Sequence, residues 1–282
     1  MSCWRTLTTH LTRTGFTCLT LWCATTSKKA ALSAETKEGH YVPLNFTTAG
    51  KEAGSHGIKV LVYGSAGAGK TRLCATAPKP IILSAEAGLL TLKKMIDDGI
   101  LPANTPVIKV VDIATVEEAY EWCRVNAAKY GLETIALDSI SEITEVCLQN
   151  EKSKTKDPRQ AYGEMAGRVL ELVKKFRDLP GLHVIVTAKQ TVGKDPTTGV
   201  EKAAPTAPGQ QVGPALPYLF DIVLHAFTDK DPKTGQTYHA LRTQAAFNAE
   251  AKDRSGVLAE IEFPDATHLF SKILATPAAK EQ

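Results

Sequence analysis

The chain has 282 residues, 43% of them hydrophobic and 22% charged, and a net charge of +3 at pH 7. These values are typical of a folded globular protein, and no apolar run approaches the roughly 18 residues that cross a bilayer, which excludes a membrane-spanning helix. The six cysteines show no paired CxxC spacing, which excludes a cysteine-based zinc site.

The first 44 residues differ in composition from the rest of the chain. They are rich in threonine, include Arg5 and Arg13, and contain no acidic residue before Glu35. An acid-poor N-terminus of this kind is typical of an organellar transit peptide. The alternatives are a secretory signal, whose apolar region residues 16–24 weakly resemble, a disordered extension, and a start site placed too far upstream. We therefore treat residues 1–44 as an N-terminal extension, disordered or resembling a targeting segment.

From residue 58 onward, short apolar runs alternate with helical patterns, which indicates βαβ units and a largely parallel sheet. The predicted strands are 59–63, 80–85, 107–111, 134–137, 183–187, 221–227 and 238–243. The predicted helices are 70–77, 116–129, 140–151 and 162–176. We therefore expect an α/β fold with a mostly parallel sheet flanked by helices, in one domain over residues 45–275, followed by a tail at 276–282.

The segment after the first predicted strand matches GxxxxGK[ST], the P-loop or Walker A pattern. Glycines let backbone N–H groups wrap the phosphates, the lysine places a cation on the β and γ phosphates, and the threonine hydroxyl binds Mg²⁺. The alternative, a chance glycine-rich turn, is disfavoured by the flanking strand and helix. The pattern therefore predicts binding of ATP and Mg²⁺ by Gly64, Ser65, Ala66, Gly67, Ala68, Gly69, Lys70 and Thr71.

A second Mg²⁺ ligand is expected at the end of a neighbouring strand, the Walker B position. The apolar run 134–137 ends in Asp138, which supplies the required carboxylate. The alternative is a carboxylate that caps the following helix. We predict that Thr71 and Asp138 together bind the metal.

A carboxylate is also needed to activate the attacking water, and Ser139 stands where many ATPases of this type carry a glutamate after the Walker B aspartate. Glu86 follows the predicted strand 80–85, and adjacent parallel strands bring their carboxyl ends to the same crevice. Glu142 is the alternative base, and a solvent-facing Glu86 without a catalytic role is the other possibility.

The order of these motifs, followed by the run 184–187 and Gln190, resembles the ATPase core of RecA-type recombinases over residues 46–254. The chain is most similar to short, core-only RecA-like proteins of bacteriophages, which are AAA-family ATP-binding proteins and in some cases anneal or recombine single-stranded DNA. The resemblance implies that Glu86 activates water. It also implies that Gln190 senses the γ-phosphate and moves a DNA-binding loop, with Lys189 as the alternative for that role.

Two segments stand where this family has its DNA-binding loops. Residues 150–161 carry Lys152, Lys154, Lys156 and Arg159, which favours phosphate contacts over base reading, although a solvated helix end would look the same. Residues 191–213 lack periodicity, which predicts a long irregular loop. The second segment has balanced charges and no aromatic residue for stacking, so it departs from a typical single-strand platform.

Near the C-terminus, Lys252 and Arg254 resemble the Lys-x-Arg finger by which a RecA-like subunit reaches its neighbour's ATP. Cations donated by a neighbour stabilise the charge that develops on the phosphoryl group, which makes activity depend on assembly. The resemblance therefore implies a homo-oligomer, either a ring or a filament. A surface charge cluster is the alternative reading of these residues.

Together these features predict a RecA-like ATPase that acts with single-stranded DNA in phage-type recombination or annealing, in the cytoplasm of a bacterium or phage-infected host. The transit-like N-terminus leaves organelle targeting open. A nucleotide-dependent switch that regulates a protein partner is the main alternative, because the charges of 191–213 cancel. A small-molecule kinase is disfavoured, because that segment contains no arginine to close over an acceptor.

Overall fold

The computed structural model describes residues 32–35, 41–44, 46–86, 88–194 and 199–275. The chain divides into two units, Met1–Ala49 and Gly50–Gln282. In the first unit, β1 (Leu32–Glu35) pairs with β2 (Tyr41–Leu44) in an antiparallel hairpin. Most of the predicted N-terminal extension and the whole of the predicted tail lie outside the described residues, so the domain boundaries near 44 and 275 stay a prediction.

The remaining elements follow in chain order from residue 49. The helices are α1 (Ala49–Ser55), α2 (Lys70–Ala75), α3 (Leu89–Asp97), α4 (Ile113–Asn126), α5 (Ile140–Lys154), α6 (Pro158–Arg177), α7 (Val212–Leu219) and α8 (Ala266–Leu274). The strands are β3 (Lys59–Gly64), β4 (Pro80–Ser84), β5 (Val107–Lys109), β6 (Thr134–Asp138), β7 (His183–Lys194), β8 (Glu201–Thr206), β9 (Ile222–Lys230), β10 (Thr237–Arg242), β11 (Lys252–Asp253) and β12 (Ile261–Glu262).

One large sheet organises the second unit, in the order β12-β10-β9-β3-β7-β6-β4-β5. The six strands from β9 to β5 run parallel, whereas β10, β12, β11 and β8 pair antiparallel to their neighbours. The predicted α/β fold with a mostly parallel sheet flanked by helices is therefore confirmed. Since the central strands are parallel, their carboxyl ends meet at one edge, which is where the P-loop, Glu86 and Asp138 lie.

The sheet separates two apolar cores because its strands are covered on both faces. On one face Leu61 and Tyr63 pack with the buried sides of α4, α5 and α6. On the other face Val60 and Val62 pack with α2, α3 and α8. Strand β3 is buried at every position, which places the P-loop at the end of a strand held from both sides.

Both predictions of irregular DNA-binding loops were wrong in their local structure. Residues 150–154 complete α5 and α6 begins at Pro158, because Asp157 caps the new helix and a proline is favoured in its first turn. Most of the segment 191–213 is ordered: β7 continues to Lys194 and β8 returns beside it as an antiparallel hairpin. The polar and glycine-rich composition hid this pairing, since its hydrogen bonds connect backbone groups and do not depend on an apolar pattern.

Among the described residues, no helix is long and apolar enough to cross a membrane.

Candidate nucleotide-binding site

The P-loop leaves the buried strand β3 and turns directly into α2. A Cβ atom on Gly64 would lie 2.2 Å from the carbonyl oxygen of Ala226, so only glycine lets β9 pass this close. Gly67 and Gly69 have φ angles of +77° and +92°, in the left-handed region that favours glycine. The glycines of the pattern therefore form the tight, exposed turn that a phosphate cradle needs.

Lys70 is the first residue of α2 and its side chain turns back over the loop. Its ammonium donates hydrogen bonds of 2.9 Å to the carbonyl oxygens of Gly64 and Ser65. Burial lowers the pKa of Lys70, while the nearby carboxylates of Glu86 and Asp138 raise it. The lysine is thus held inside the loop, where its charge faces the acidic groups of the neighbouring strands.

Thr71 and Asp138, predicted as the two metal ligands, lie side by side. The Thr71 hydroxyl donates to one carboxylate oxygen of Asp138 at 2.7 Å, and the Thr187 hydroxyl donates to the other at 2.6 Å. Asp138 is 2% exposed. It does not cap the following helix, because the Ser139 side chain occupies that position.

The environment of Asp138 suits a cation. Burial raises the pKa of its carboxyl group, and the hydrogen bonds from Thr187 and Thr71 oppose that rise. A hydroxyl and a carboxylate are the oxygen ligands that Mg²⁺ prefers, usually with water and substrate phosphates completing its shell. The donor set therefore fits the metal that the sequence predicts.

Glu86 reaches the same crevice from the end of β4. Its carboxylate accepts a 2.5 Å hydrogen bond from the Ser139 hydroxyl, and its backbone N–H donates to the Asp138 carbonyl oxygen at 3.4 Å. Glu142, the alternative base, forms an ion pair with Lys189. The carboxylate of Glu86 is thus oriented beside Asp138, while that of Glu142 is engaged by a cation.

Gln190 and Lys189 follow one another on β7 and differ in their contacts. The Gln190 amide oxygen lies 3.0 Å from the His225 ring nitrogen Nε2, and the ring of His225 stacks on Tyr63. The backbone N–H of Lys189 donates to the Ser141 hydroxyl, which itself donates to the Thr206 carbonyl oxygen. Ser141 therefore connects the helix after Asp138 to the base of the β7–β8 hairpin.

Lys252 and Arg254 lie away from the P-loop of their own chain. Lys252 pairs with Val223 near the amino end of β9, which is level with Leu61, three residues before Gly64 on β3. Its ammonium donates to the Pro217 carbonyl oxygen at 2.6 Å, and Arg254 forms an ion pair of 3.2 Å with Asp221. The two cations are therefore not part of the site formed by Gly64 and Asp138 in the same chain.

These cations line a groove of about 760 Å³ between β8, α7 and β11. The groove also contains Lys202 and Tyr218, and Tyr218 is 83% exposed. Glu250 lies in the same groove and pairs with Lys202 at 3.4 Å. Lysine, arginine and an exposed aromatic ring thus share one surface, which begins at Thr191 on the hairpin.

Four residues of this region were missed by the sequence analysis. The sequence does point to Thr187, because it is the polar residue that ends the otherwise apolar run 184–187. No local pattern points to Ser139, Ser141 or Tyr218. Their roles depend on partners far along the chain: Glu86 for Ser139, Thr206 for Ser141, and the cations of the groove for Tyr218. Such contacts follow from the strand order, which the sequence did not reveal.

A P-loop between β3 and α2, with an acidic residue at the end of a nearby parallel strand, defines a P-loop NTPase. The AAA domain family model matches residues 56–255, and the chain belongs to that family.

Comparison with solved structures finds similarity to a KaiC-like protein from the hyperthermophilic archaeon Pyrococcus horikoshii OT3. The sequence identity is 13%, the TM-score is 0.36, and the match covers 70% of this chain and 82% of that chain. No curated protein matches the chain significantly.

Proposed function

We propose that this chain is a Mg²⁺-dependent ATPase that acts with single-stranded DNA in recombination or annealing of the phage type. The observation that carries the ATPase part is the contact of Thr71 with Asp138, beside the oriented carboxylate of Glu86. Lys70 and the P-loop N–H groups bind the phosphates, and Thr71 and Asp138 hold the metal. Residues 45–275 form the ATPase domain.

Each residue of the site has a separate chemical role. Glu86 accepts a proton from the attacking water, and Ser139 keeps its carboxylate directed into the crevice. When bound, Mg²⁺ neutralises charge on the phosphate oxygens. Gln190 links the crevice to the hairpin, because it lies on β7 immediately before the hairpin leaves the sheet.

Assembly completes the site in this proposal. Lys252 and Arg254 act on the nucleotide of a neighbouring copy in a ring or filament, since in their own chain they contact Pro217 and Asp221 and not the P-loop. Their contacts with Pro217 and Asp221 hold them on the surface until a neighbour's phosphates attract them.

Single-stranded DNA is the proposed partner because the groove combines cations with an exposed ring. Lys202 attracts the phosphate backbone, and Tyr218 offers a face on which a base can stack. The turn between α5 and α6 adds exposed cations at Lys152, Lys156 and Arg159.

One observation favours the second candidate, a switch ATPase that regulates a protein partner without DNA. The ion pair of Lys202 with Glu250 partly neutralises the groove. A DNA-independent ATPase rate, with no salt-sensitive DNA binding, would leave this candidate in place of the first.

The test is the ATPase rate with and without single-stranded DNA. DNA is expected to raise the rate several-fold, and both Lys70→Ala and Glu86→Gln are expected to abolish it. Tyr218→Ala is expected to weaken DNA binding by about tenfold, because stacking on one ring contributes about 1–3 kcal/mol. Tyr130→Ala is the matched control, since Tyr130 is 62% exposed and lies outside the groove.

A further inference from the structure

Lys189 lies at the level of the P-loop and on its side of the sheet. It pairs with Gly64 in the parallel ladder between β3 and β7. Side chains alternate between faces along a strand, so Lys189 shares its face with Thr187, whose hydroxyl donates to Asp138. Gln190 faces the other way, towards His225. Of the two residues considered as a phosphate sensor, Lys189 is therefore on the face that carries Asp138.

The charges around Lys189 show how close it is to the site. Its ammonium forms an ion pair with Glu142, and this contact is the main reason that the pKa of Lys189 is raised. Glu145 and Glu86 raise that pKa further. Burial is the main cause of the lowered pKa of Lys70, and the charge of Lys189 lowers it further. The pKa values of both lysines are thus raised by a carboxylate of the same crevice, that of Glu86.

The backbone of Lys189 is fixed while its side chain has room to move. Its N–H is held by the buried hydroxyl of Ser141, whereas 46% of the Lys189 side chain and 31% of the Glu142 side chain are exposed. A partly exposed ion pair contributes little to stability. An ammonium in this position can therefore exchange its carboxylate partner for a more highly charged phosphate group at small cost.

We infer that Lys189 contacts the terminal phosphate of ATP and that Glu142 competes with that phosphate for it. This inference rests on the proposed function, because it assumes that the P-loop binds the nucleotide. The triphosphate draws Lys189 away from Glu142, whereas the diphosphate leaves the pair intact. The pair of Lys189 and Glu142 therefore sets how strongly the chain prefers ATP over ADP. The base of the β7–β8 hairpin changes position with the nucleotide that is bound.

The test measures equilibrium binding of a non-hydrolysable ATP analogue and of ADP by calorimetry. Lys189→Met is expected to weaken the analogue about tenfold and to change ADP affinity less than about twofold. Lys189→Arg is expected to keep the preference for the analogue over ADP, because it keeps the positive charge. Glu142→Gln is expected to strengthen analogue binding several-fold, because the competing carboxylate is gone.

Lys175→Met is the matched control, since Lys175 pairs with Glu171 on the outer side of α6 and has a similar exposure of 47%. It is expected to leave both affinities unchanged. An equal loss of analogue and ADP affinity in Lys189→Met, or no loss of either, would overturn the inference. If Lys70→Ala binds the analogue as tightly as the wild type, the proposed function fails instead, so the two failures are distinguishable.

Discussion

The carboxylate of Asp138 is nearly inaccessible to solvent, and two hydroxyl groups donate to it. A buried charge costs free energy unless it is paired, and here the hydroxyl donors compensate only in part, so its pKa is raised. A folded-state pKa above the ordinary value favours folding in acid, and that contribution is lost as pH rises through the folded pKa. The burial of Asp138, the proposed metal ligand, thus costs the protein some stability at neutral pH.

We expect Asp138→Asn to remove the Mg²⁺-dependent part of ATP affinity and to leave metal-independent binding by Lys70 and the P-loop. The amide keeps the shape of the carboxylate but not its charge, so the free energy of unfolding without nucleotide should not fall by more than about 1 kcal/mol. ATP titrations with and without Mg²⁺ measure the first effect, and denaturant unfolding measures the second. Asp265→Asn, at the cap of α8, is the control. An Asp138→Asn variant that keeps its metal dependence would contradict the assignment.

Lys59 is a second buried charge, at the start of β3. It is 1% exposed, and its ammonium donates to the carbonyl oxygens of Leu179 and Leu182 after the end of α6. Burial lowers the pKa of Lys59 to about 8 from an ordinary value of 10.5. Since the unfolded chain then binds more protons between these two values, this group makes the protein more stable as pH rises through the interval.

Comparison with Lys59→Met isolates that effect. We expect the free energy of unfolding of the wild type to gain about 1–2 kcal/mol over the variant between pH 8 and pH 10.5, allowing for solvent screening. Denaturant unfolding at several pH values measures the difference, and Lys93→Met, an exposed lysine on α3, should show no such trend. If the difference in free energy of unfolding between the wild type and Lys59→Met does not change with pH, the prediction is wrong.

The β7–β8 hairpin is the element that connects the site to the proposed DNA surface. Its base is fastened by Ser141, whose buried hydroxyl bonds to both Lys189 and Thr206. These two residues pair with each other in the ladder, so one side chain fixes both strands of the hairpin to the helix that follows Asp138. We therefore expect a movement of that helix to shift the base of the hairpin.

Ser141→Ala should loosen this connection. Loss of two hydrogen bonds at a buried position is expected to cost about 1–3 kcal/mol of stability and to speed amide hydrogen exchange in residues 189–194 and 201–206. Ser153→Ala is the matched control, because Ser153 is exposed on the same helix and donates to the Asn150 carbonyl oxygen. If exchange in the hairpin is the same in both variants, Ser141 does not hold its base.

At the level of elements, the sequence predicted those parts whose pattern is local. The seven predicted strands all form, within a few residues at each end except for β7, because each is an apolar run with clear ends. Helix α7 was missed because Pro214 and Pro217 lie within it, and β8 because its pairing depends on β7. Helix α8 had a usable signal in the cap residue Asp265, and α6 had one in Asp157 and Pro158.

The site was more predictable than the surfaces around it. A P-loop needs its glycines, lysine and threonine at fixed spacing, so Gly64 to Thr71 could be found without any knowledge of the fold. The placement of Asp138 and Glu86 needed only the rule that parallel strands end at one edge. Tyr218 and the cations at 202, 252 and 254 meet only because β8, α7 and β11 pack together, and no local pattern encodes that.

At the scale of the whole molecule, the sheet separates the two sets of proposed catalytic residues. Gly64 lies at the carboxyl end of β3, whereas Lys252 pairs with Val223, which is level with Leu61. Three residues of extended chain span about 10 Å along the strand. This separation supports the proposal that Lys252 and Arg254 act on the P-loop of a neighbouring copy.

Mixing two inactive variants tests this dependence directly. Lys70→Ala lacks a working P-loop but keeps Arg254, and Arg254→Ala has the reverse defect. If the finger acts on a neighbouring copy, an equal mixture forms some interfaces with both parts intact, about a quarter of the total for random assembly. We expect the ATPase rate of the mixture to recover to roughly that share of the wild-type rate, whereas each variant alone stays inactive.

The matched control mixes Lys70→Ala with Glu86→Gln, whose defects fall on the same half of the interface. No arrangement of these two variants joins an intact P-loop to an intact Glu86, so that mixture should stay inactive even though its subunits assemble equally well. Recovery in both mixtures would point to subunit heterogeneity or contamination. Activity of Arg254→Ala alone, or no recovery with Lys70→Ala at any ratio, would show that Arg254 is not donated in trans.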